Sequence, residues 1–557
     1  TVSTKGYYSS GDGGQADYLI KTSAQSATDG DVIDGWGNHA LISGDVAIIQ
    51  KPKIPEQFGA LADGSDDEPQ LNAFFAAVRN SKLSGKEYSF GDQVAITLLA
   101  GEDFSIVGNS TLNRLAGYTT AESGVSITGT ATSDIAIKGL TLADASGSIE
   151  QAFLVTTAND CLIQNIKMDG INSGIEVNGA NSNKINGCKI KNGSGLAIQA
   201  SNNSNTQITK NVIEAMNTGI KVSAVSTDAE MIDASNNQIK NTGDTAIFIR
   251  AFNARTLSEV KANGNILKDI GKAGIKVSIP AGNDSALIEN VTISNNIVRG
   301  FGLVVSSPAI SSFRDNSDDL NVIQNVSCFG NVVDGRNTAG AVSTQAGDAY
   351  GYRFSFVDTV NFDSQSKFTP KEGLFVDHCS DGSFKGVINQ AFQDAAASGD
   401  AGASFLSNDQ SIAGYFGLSI DLVVTNTQAS KSGLMLNKTQ DCVISGKYSN
   451  NGNYGIEESS NGTSTTKSGN NLIDGAVLKG NTTAPILYAS NNLLGMQEMN
   501  CYDDSGSRHQ GDTTRRNALG FAFSKSSKGF VYWNTTDTQL QVHAGSNAWN
   551  DTEGTVV

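Results

Sequence analysis

The sequence predicts an all-β chain, a right-handed single-stranded parallel β-helix with a small N-terminal domain, a capping helix and a β-rich C-terminal domain. Two observations carry this: a repeat spanning the middle of the chain, and short aliphatic runs broken by Gly and Asn rather than spaced at 3.6 residues. CKIKNGSGLAIQ from Cys188, NVIEAMNTGIKV from Asn211, NQIKNTGDTAIFI from Asn237 and NILKDIGKAGIKV from Asn265 share one pattern. NIVRGFGLVV from Asn296 and NVVDGRNTAGAV from Asn331 continue it, and the starts from 211 onward are 26, 28, 31 and 35 residues apart. Each period holds an Asn, an aliphatic pair, a Gly-containing turn and a second aliphatic run. Such a unit cannot bury its apolar side alone, but stacked copies bury a continuous core. Ile220 and Val222, Ile247 and Ile249, and Ile275 and Val277 are the inward columns. Asn at the strand ends can ladder its amide or take a left-handed turn.

Composition narrows the function. The chain has 557 residues and a net charge of −17, which argues against nucleic acid as a partner because no basic stripe offsets the repulsion. No apolar run reaches the roughly 18–20 residues of a membrane-spanning helix, so no membrane insertion is expected. The chain opens without a secretory signal and without Met, so an upstream segment is expected to be missing. Six cysteines are scattered singly and four histidines lie far apart, which predicts reduced, buried thiols and neither a metal site nor a cofactor.

Residues 1–50 form the N-terminal domain and 51–56 (KPKIP within it) a linker. The capping helix and β-helix occupy 57–507. In QFGALADGSDDEPQLNAFFAAVRN from Gln57, Asp66 or Asp67 caps the helix, Pro69 sits in its first turn, and Leu71, Phe74, Phe75 and Val78 form its apolar stripe. One amphipathic helix there seals the open end of the β-helix. Rungs return at Gly373, Gly433, Gly455 and Asn471, and Phe392–Asp409 reads as a loop thrown out beside them. Residues 508–557 read as hairpins, with Trp533 and Trp549 packing or binding sugar.

GYYSSGDGGQADYL, FGALADGSDDE with its helix, the rungs and the YWNTTDTQLQVHAGSNAWND ending together resemble bacteriophage tailspike proteins, whose β-helix is of the pectate-lyase-like kind. Many tailspikes carry Lys-Gly where this chain has Leu61-Ala62. The resemblance implies a homotrimer on the virion, attached by its N-terminal region to the phage tail, baseplate or another tailspike. It also implies binding and cleavage of a bacterial surface polysaccharide, O-antigen or capsule. It does not transfer catalytic residues.

Glycoside hydrolysis needs two carboxyl groups roughly 5–5.5 Å apart for retention or 6.5–9.5 Å for inversion. Carboxylates one or two rungs apart approach these figures. With Leu374 and Val376 inward, Phe375 and Asp377 face out, and aligning Gly373 with Gly455 sets Glu457 under Phe375 and Glu458 under Val376. Asp377, Glu457, Asp358 and Glu458 are therefore the catalytic candidates, and Tyr352, Arg353, Phe375, His378 and Tyr454 the substrate-binding ones. Arg250, Arg255, Arg314 and Arg353 can pair with an acidic glycan. Rival readings are a polysaccharide lyase acting on a uronate-containing glycan and a non-catalytic adhesin. Gly-His-Gly and Arg-Ile-Lys signatures of a polygalacturonase are absent.

Overall fold

The structure is a computed structural model. It describes residues 2–5, 15–29, 38–41, 43–50, 54–118, 123–144, 149–280, 285–314, 323–342, 348–393, 401–406, 417–439, 441–459, 471–487 and 497–499. Near the C-terminus it describes 501–503, 506–507, 510–511, 531–534, 539–545 and 548–551. These residues fall into two compact units, Thr1–Lys261 and Ala262–Val557.

In the first unit, Val2–Ser3, Asp17–Thr22, His39–Ala40 and Asp45–Gln50 make a four-stranded antiparallel sheet of their own. The helix Glu68–Ala77 follows. The acidic pair before it does more than cap. Asp67 turns its carboxylate back to accept the Leu61 N–H at 2.7 Å, and Asp66 accepts the N–H groups of Glu68 and Gly91. Leu71, Phe74 and Phe75 are wholly buried, with Phe75 edge-on to Phe104 at 5.8 Å, so the helix closes the first rungs. Val78, expected in the stripe, is instead the extended residue that ends the helix.

From Asn80–Lys82 onward the strands of this unit pair in parallel, in register, one rung to the next. Ile190, Ile213 and Ile239 stack in one column, and Ile220 on Ile247 and Val222 on Ile249 in two others. All are nearly inaccessible, and each contributes roughly 1.5–3 kcal/mol by burial. Strands Gln151–Gln164 and Ser173–Asn186 turn a corner without breaking, through left-handed Thr157 and Gly179.

Both anticipated roles of Asn are used, by neighbouring residues. Asn236 and Asn295 take the left-handed turn, while Asn237 and Asn296 behind them ladder. Asn211 gives its backbone and side-chain N–H groups to Asn237 Oδ1 at 3.0 and 3.1 Å. In the second unit Asn265, Asn296 and Asn331 repeat this bond for bond, until Ser364 receives the last one. Each Asn thereby fills buried backbone valences that the corner leaves open.

The second unit is built of parallel rungs of its own, Tyr352–Lys367 and Leu374–Asn389 among them, around a core of Phe354, Phe362, Phe384 and Phe405. The stretch expected as a loop, Phe392–Asp409, contains a strand, Ala401–Leu406, which forms a rung of its own on Leu374–Asp377. Toward the C-terminus Val531–Asn534, Gln539–Gly545 and Ala548–Asp551 pair antiparallel as hairpins.

Candidate functional site

Alternation along each strand puts one column of side chains on the outer face between every two inward ones. In the second unit the register sets Ser311, Arg353, Phe375, Ser404, Met435 and Glu457 in one outer column, and Phe313, Ser355, Asp377 and Leu406 in the next. Because of the Ala401–Leu406 rung, three strand spacings separate the rung of Asp377 from that of Glu457, about 14 Å at ~4.8 Å each. That exceeds either glycosidase separation. The anticipated Asp377–Glu457 pair on adjoining strands is thus corrected, although Glu457 does fall in the Phe375 column and Glu458 in the Val376 column, each three rungs on.

Other candidates in this region move as well. Tyr352 is fully buried with its hydroxyl donating to Gln365 O at 2.9 Å, so it is a core residue and not a sugar platform. Glu458 shares the inward parity of Ile456 and is only 1% exposed. Tyr454 has that same parity at the start of its strand and is half-buried. Glu457 does face out, where it accepts the Ser432 hydroxyl at 2.6 Å. Asp358 lies past the left-handed Phe356 and accepts the Ser380 hydroxyl.

Arg353 and Phe375 do come together, in a cluster with Tyr350, while Asp377 and His378 pair with each other. Phe375 stacks on Tyr350 with centroids 4.6 Å apart, and Arg353 pairs with Asp348 at 3.2 Å. Lys371 donates to the Tyr350 hydroxyl at 2.7 Å and lies 3.8 Å from Asp348 and 4.0 Å from Glu372. Burial, then the charges of Glu372 and Asp348, push the Tyr350 phenol well above its usual range. His378 Nδ1 sits 2.6 Å from Asp377 Oδ1 while its ring stacks on Phe356.

The outer face of the first unit is differently made. Leu154, Glu176, Gln199, Lys221 and Phe248 follow one another up one column, and Asn178, Ser201, Ser223 and Arg250 up the next. A cleft of about 290 Å³ opens here, lined by Glu150, Gln151, Asn172, Ser173, Glu176 and Gln199. Glu150 is exposed and Glu176 half-buried. Burial raises the Glu176 carboxyl above its ordinary value, and the Glu150 charge adds to this while Lys221 opposes it. Gln199 Nε2 donates to Glu176 Oε1 at 3.1 Å, which fixes the carboxyl in the cleft. Beyond it the Arg250 guanidinium lies 4.6 Å over the Phe248 ring and 4.3 Å over that of Phe252.

Glu150 and Glu176 escaped the sequence reading, although the signal for Glu176 is present. Ile175-Glu176-Val177, Ile198-Gln199-Ala200, Ile220-Lys221-Val222 and Ile247-Phe248-Ile249 each carry one residue between two inward aliphatics. A second cleft, of about 400 Å³, is lined by Asp103, Asp134 and Asp160. There Asp103 accepts the Asp134 N–H and Asp134 accepts from Asn159, so these two carboxylates tie successive rungs together. All six thiols are buried, with Cys161, Cys188 and Cys328 pushed up to about 12 by burial. Among the described residues no cluster of His, Cys, Asp or Glu could hold a metal ion, and no helix is long and apolar enough to cross a membrane.

A family model described as a right-handed β-helix region matches residues 123–279. No curated protein sequence matches the chain. Among solved structures, tailspike protein 3 of bacteriophage CBA120 is similar at 13% identity and a TM-score of 0.42, over 96% of this chain and 76% of that one. The tailspike of E. coli bacteriophage HK620, a double mutant in complex with a pentasaccharide, is similar at 13% identity and 0.36, over 86% and 81%. A family 28 exopolygalacturonase of Yersinia enterocolitica gives 11% and 0.35, over 82% and 79%. The matched family model and the in-register parallel rungs identify the chain as a right-handed parallel β-helix.

Proposed function

We propose that this chain is a phage tailspike that binds a bacterial surface polysaccharide and cleaves it by endoglycosidic hydrolysis. The observation that carries the reading is the cleft of the first unit, where two carboxyl groups sit in unlike surroundings. A half-buried carboxyl beside an exposed one suits the two to different roles, the buried one to that of acid. Glu176, whose carboxyl burial raises above its ordinary value, is suited to give a proton to the leaving glycosidic oxygen. Glu150, exposed to solvent, is the second carboxylate, which activates water or attacks the anomeric carbon. Gln199 holds Glu176 in place, and the Phe248 and Phe252 rings offer faces for sugar stacking. No cofactor enters this scheme.

Purified O-antigen or capsule, incubated with the protein and then sized, tests the reading. Chain shortening with new reducing ends is the expected result; unchanged length makes the protein an adhesin. A lyase is the second reading, favoured by Tyr350, Lys371 and Arg353 in the second unit, and it would leave an unsaturated, ultraviolet-absorbing end. Assembly as a homotrimer on the phage tail belongs to the same proposal. Exposed Val304, Val305, Phe329 and Val443 are apolar surface for copies to bury. Sedimentation showing only monomer at micromolar concentration would refute it.

A further inference from the structure

We infer that the outer face of the first unit carries a subsite for a carboxylate-bearing sugar, held between Arg250 and Lys221. This deepens the proposed function and rests on its choice of face, not on hydrolysis. A chain of net charge −17 repels an acidic polymer nearly everywhere, so a local pair of cations decides whether one can approach. Here Lys221 stands opposite Phe248 and Ser223 opposite Arg250, so the two cations lie one rung and two residues apart. Their Cα atoms are therefore about 8 Å apart, from ~4.8 Å between strands and ~6.6 Å along them. Two long side chains at that spacing can converge on one carboxylate.

Arg250 is prepared for the task. Rings on two sides, at 4.6 and 4.3 Å, hold the guanidinium plane, so its donor fork loses little freedom on pairing with a planar carboxylate. A carboxylate takes two parallel bonds from that fork, and Lys221 adds a point charge. Burial, then the Arg250 charge, lowers the Lys221 amine, while Glu176 works against them. An anion between Lys221 and Arg250 relieves the repulsion between the two cations. Glu176 lies two rungs before Lys221 in the same outer column, in the cleft it lines with Glu150, so the carboxylated sugar lies toward the Phe248–Phe252 end and the scissile bond toward Glu176.

The test uses immobilised bacterial capsular and O-antigen polysaccharides, each presented in native form, after carboxyl reduction, and after removal of phosphate. The expected result is that every polysaccharide retained contains a uronate or other carboxylated sugar. Carboxyl reduction should weaken retention at least tenfold, while dephosphorylation leaves it unchanged. Arg250→Ala should raise KM for such a glycan tenfold or more with kcat nearly kept, and Arg250→Lys should restore only part of the loss. Retention of a neutral glycan, retention insensitive to carboxyl reduction, or no retention of any glycan overturns the subsite. If carboxyl-dependent retention occurs without shortening, the subsite stands and the hydrolytic reading falls. If a neutral glycan is shortened through Glu176, the reverse holds.

Discussion

The outer faces of the two units are built from the same alternation, yet they present their polar groups in opposite states. In the second unit Arg353 meets Asp348, Lys371 meets Tyr350 and His378 meets Asp377, with Lys371, Tyr350 and Asp377 buried. In the first unit an exposed Glu150 and a half-buried Glu176 share an open cleft, with Lys221 and a ring-clamped Arg250 farther along. Charges that neutralise one another mainly hold the local structure, since breaking one leaves a buried partner exposed to the full desolvation penalty. Carboxyl groups that line an open cleft lie where a ligand can reach them. The difference teaches that a density of acidic and aromatic residues in sequence does not mark the chemistry; the state of their partners does.

The comparison breaks most visibly at the catalytic carboxyl. Glu176→Gln should slow glycan cleavage by about 10²–10⁴-fold, the usual weight of a general acid, while binding persists. Asp377→Asn should slow it less than tenfold, its main effect falling on stability. Initial rates of reducing-end release decide the matter. A large loss for Asp377→Asn with none for Glu176→Gln would move the site to the second unit.

Stability gives the next effect. Lys371→Met removes the cation lying among Tyr350, Asp348 and the buried Glu372. It should destabilise the second unit by about 3 kcal/mol, the lower end for breaking a buried pair, and leave cleavage nearly intact. Denaturant midpoints read this out. Where the two units are alike, the effects should be alike as well. Asn211→Ala and Asn296→Ala each strip a buried amide from the ladder and should each cost about 1–3 kcal/mol. A marked inequality between those two would show that the ladders are not equivalent.

The sequence states the fold because the fold is periodic. Asn237, Ile247 and Ile249 recur at nearly fixed offsets, and stacking needs nothing more than that recurrence. The candidate site was legible only in part. Arg353 and Phe375 share an outer column as their alternation implies, but the rung at Ala401–Leu406 is hidden in a stretch rich in Gly, Ala and Ser. One uncounted rung displaced Glu457 by a full strand spacing and more. Tyr352 could not be assigned because an aromatic fits either the core or a sugar platform, and parity decided it. Glu176 was missed for a different reason: a single acid between two aliphatics carries no motif, and its significance comes from burial and from Glu150 beside it.

The smallest expected effect is also the most specific to the first unit. Glu176 must be protonated to act as acid, so kcat/KM should fall as pH rises through its raised carboxyl, giving a basic limb above the ordinary carboxylate range. The same shift has a sign for stability. A carboxyl raised in the folded state binds its proton more tightly than in the unfolded chain, so its contribution is present below the unfolded value and is lost as pH rises through the folded one. Lys221 stabilises the ionised form, and Lys221→Met should therefore move the basic limb upward. A lysine that served only packing would leave the limb in place, because no charge effect would reach Glu176. A downward shift, or none, would assign the limb to another group and remove Glu176 from the role of acid.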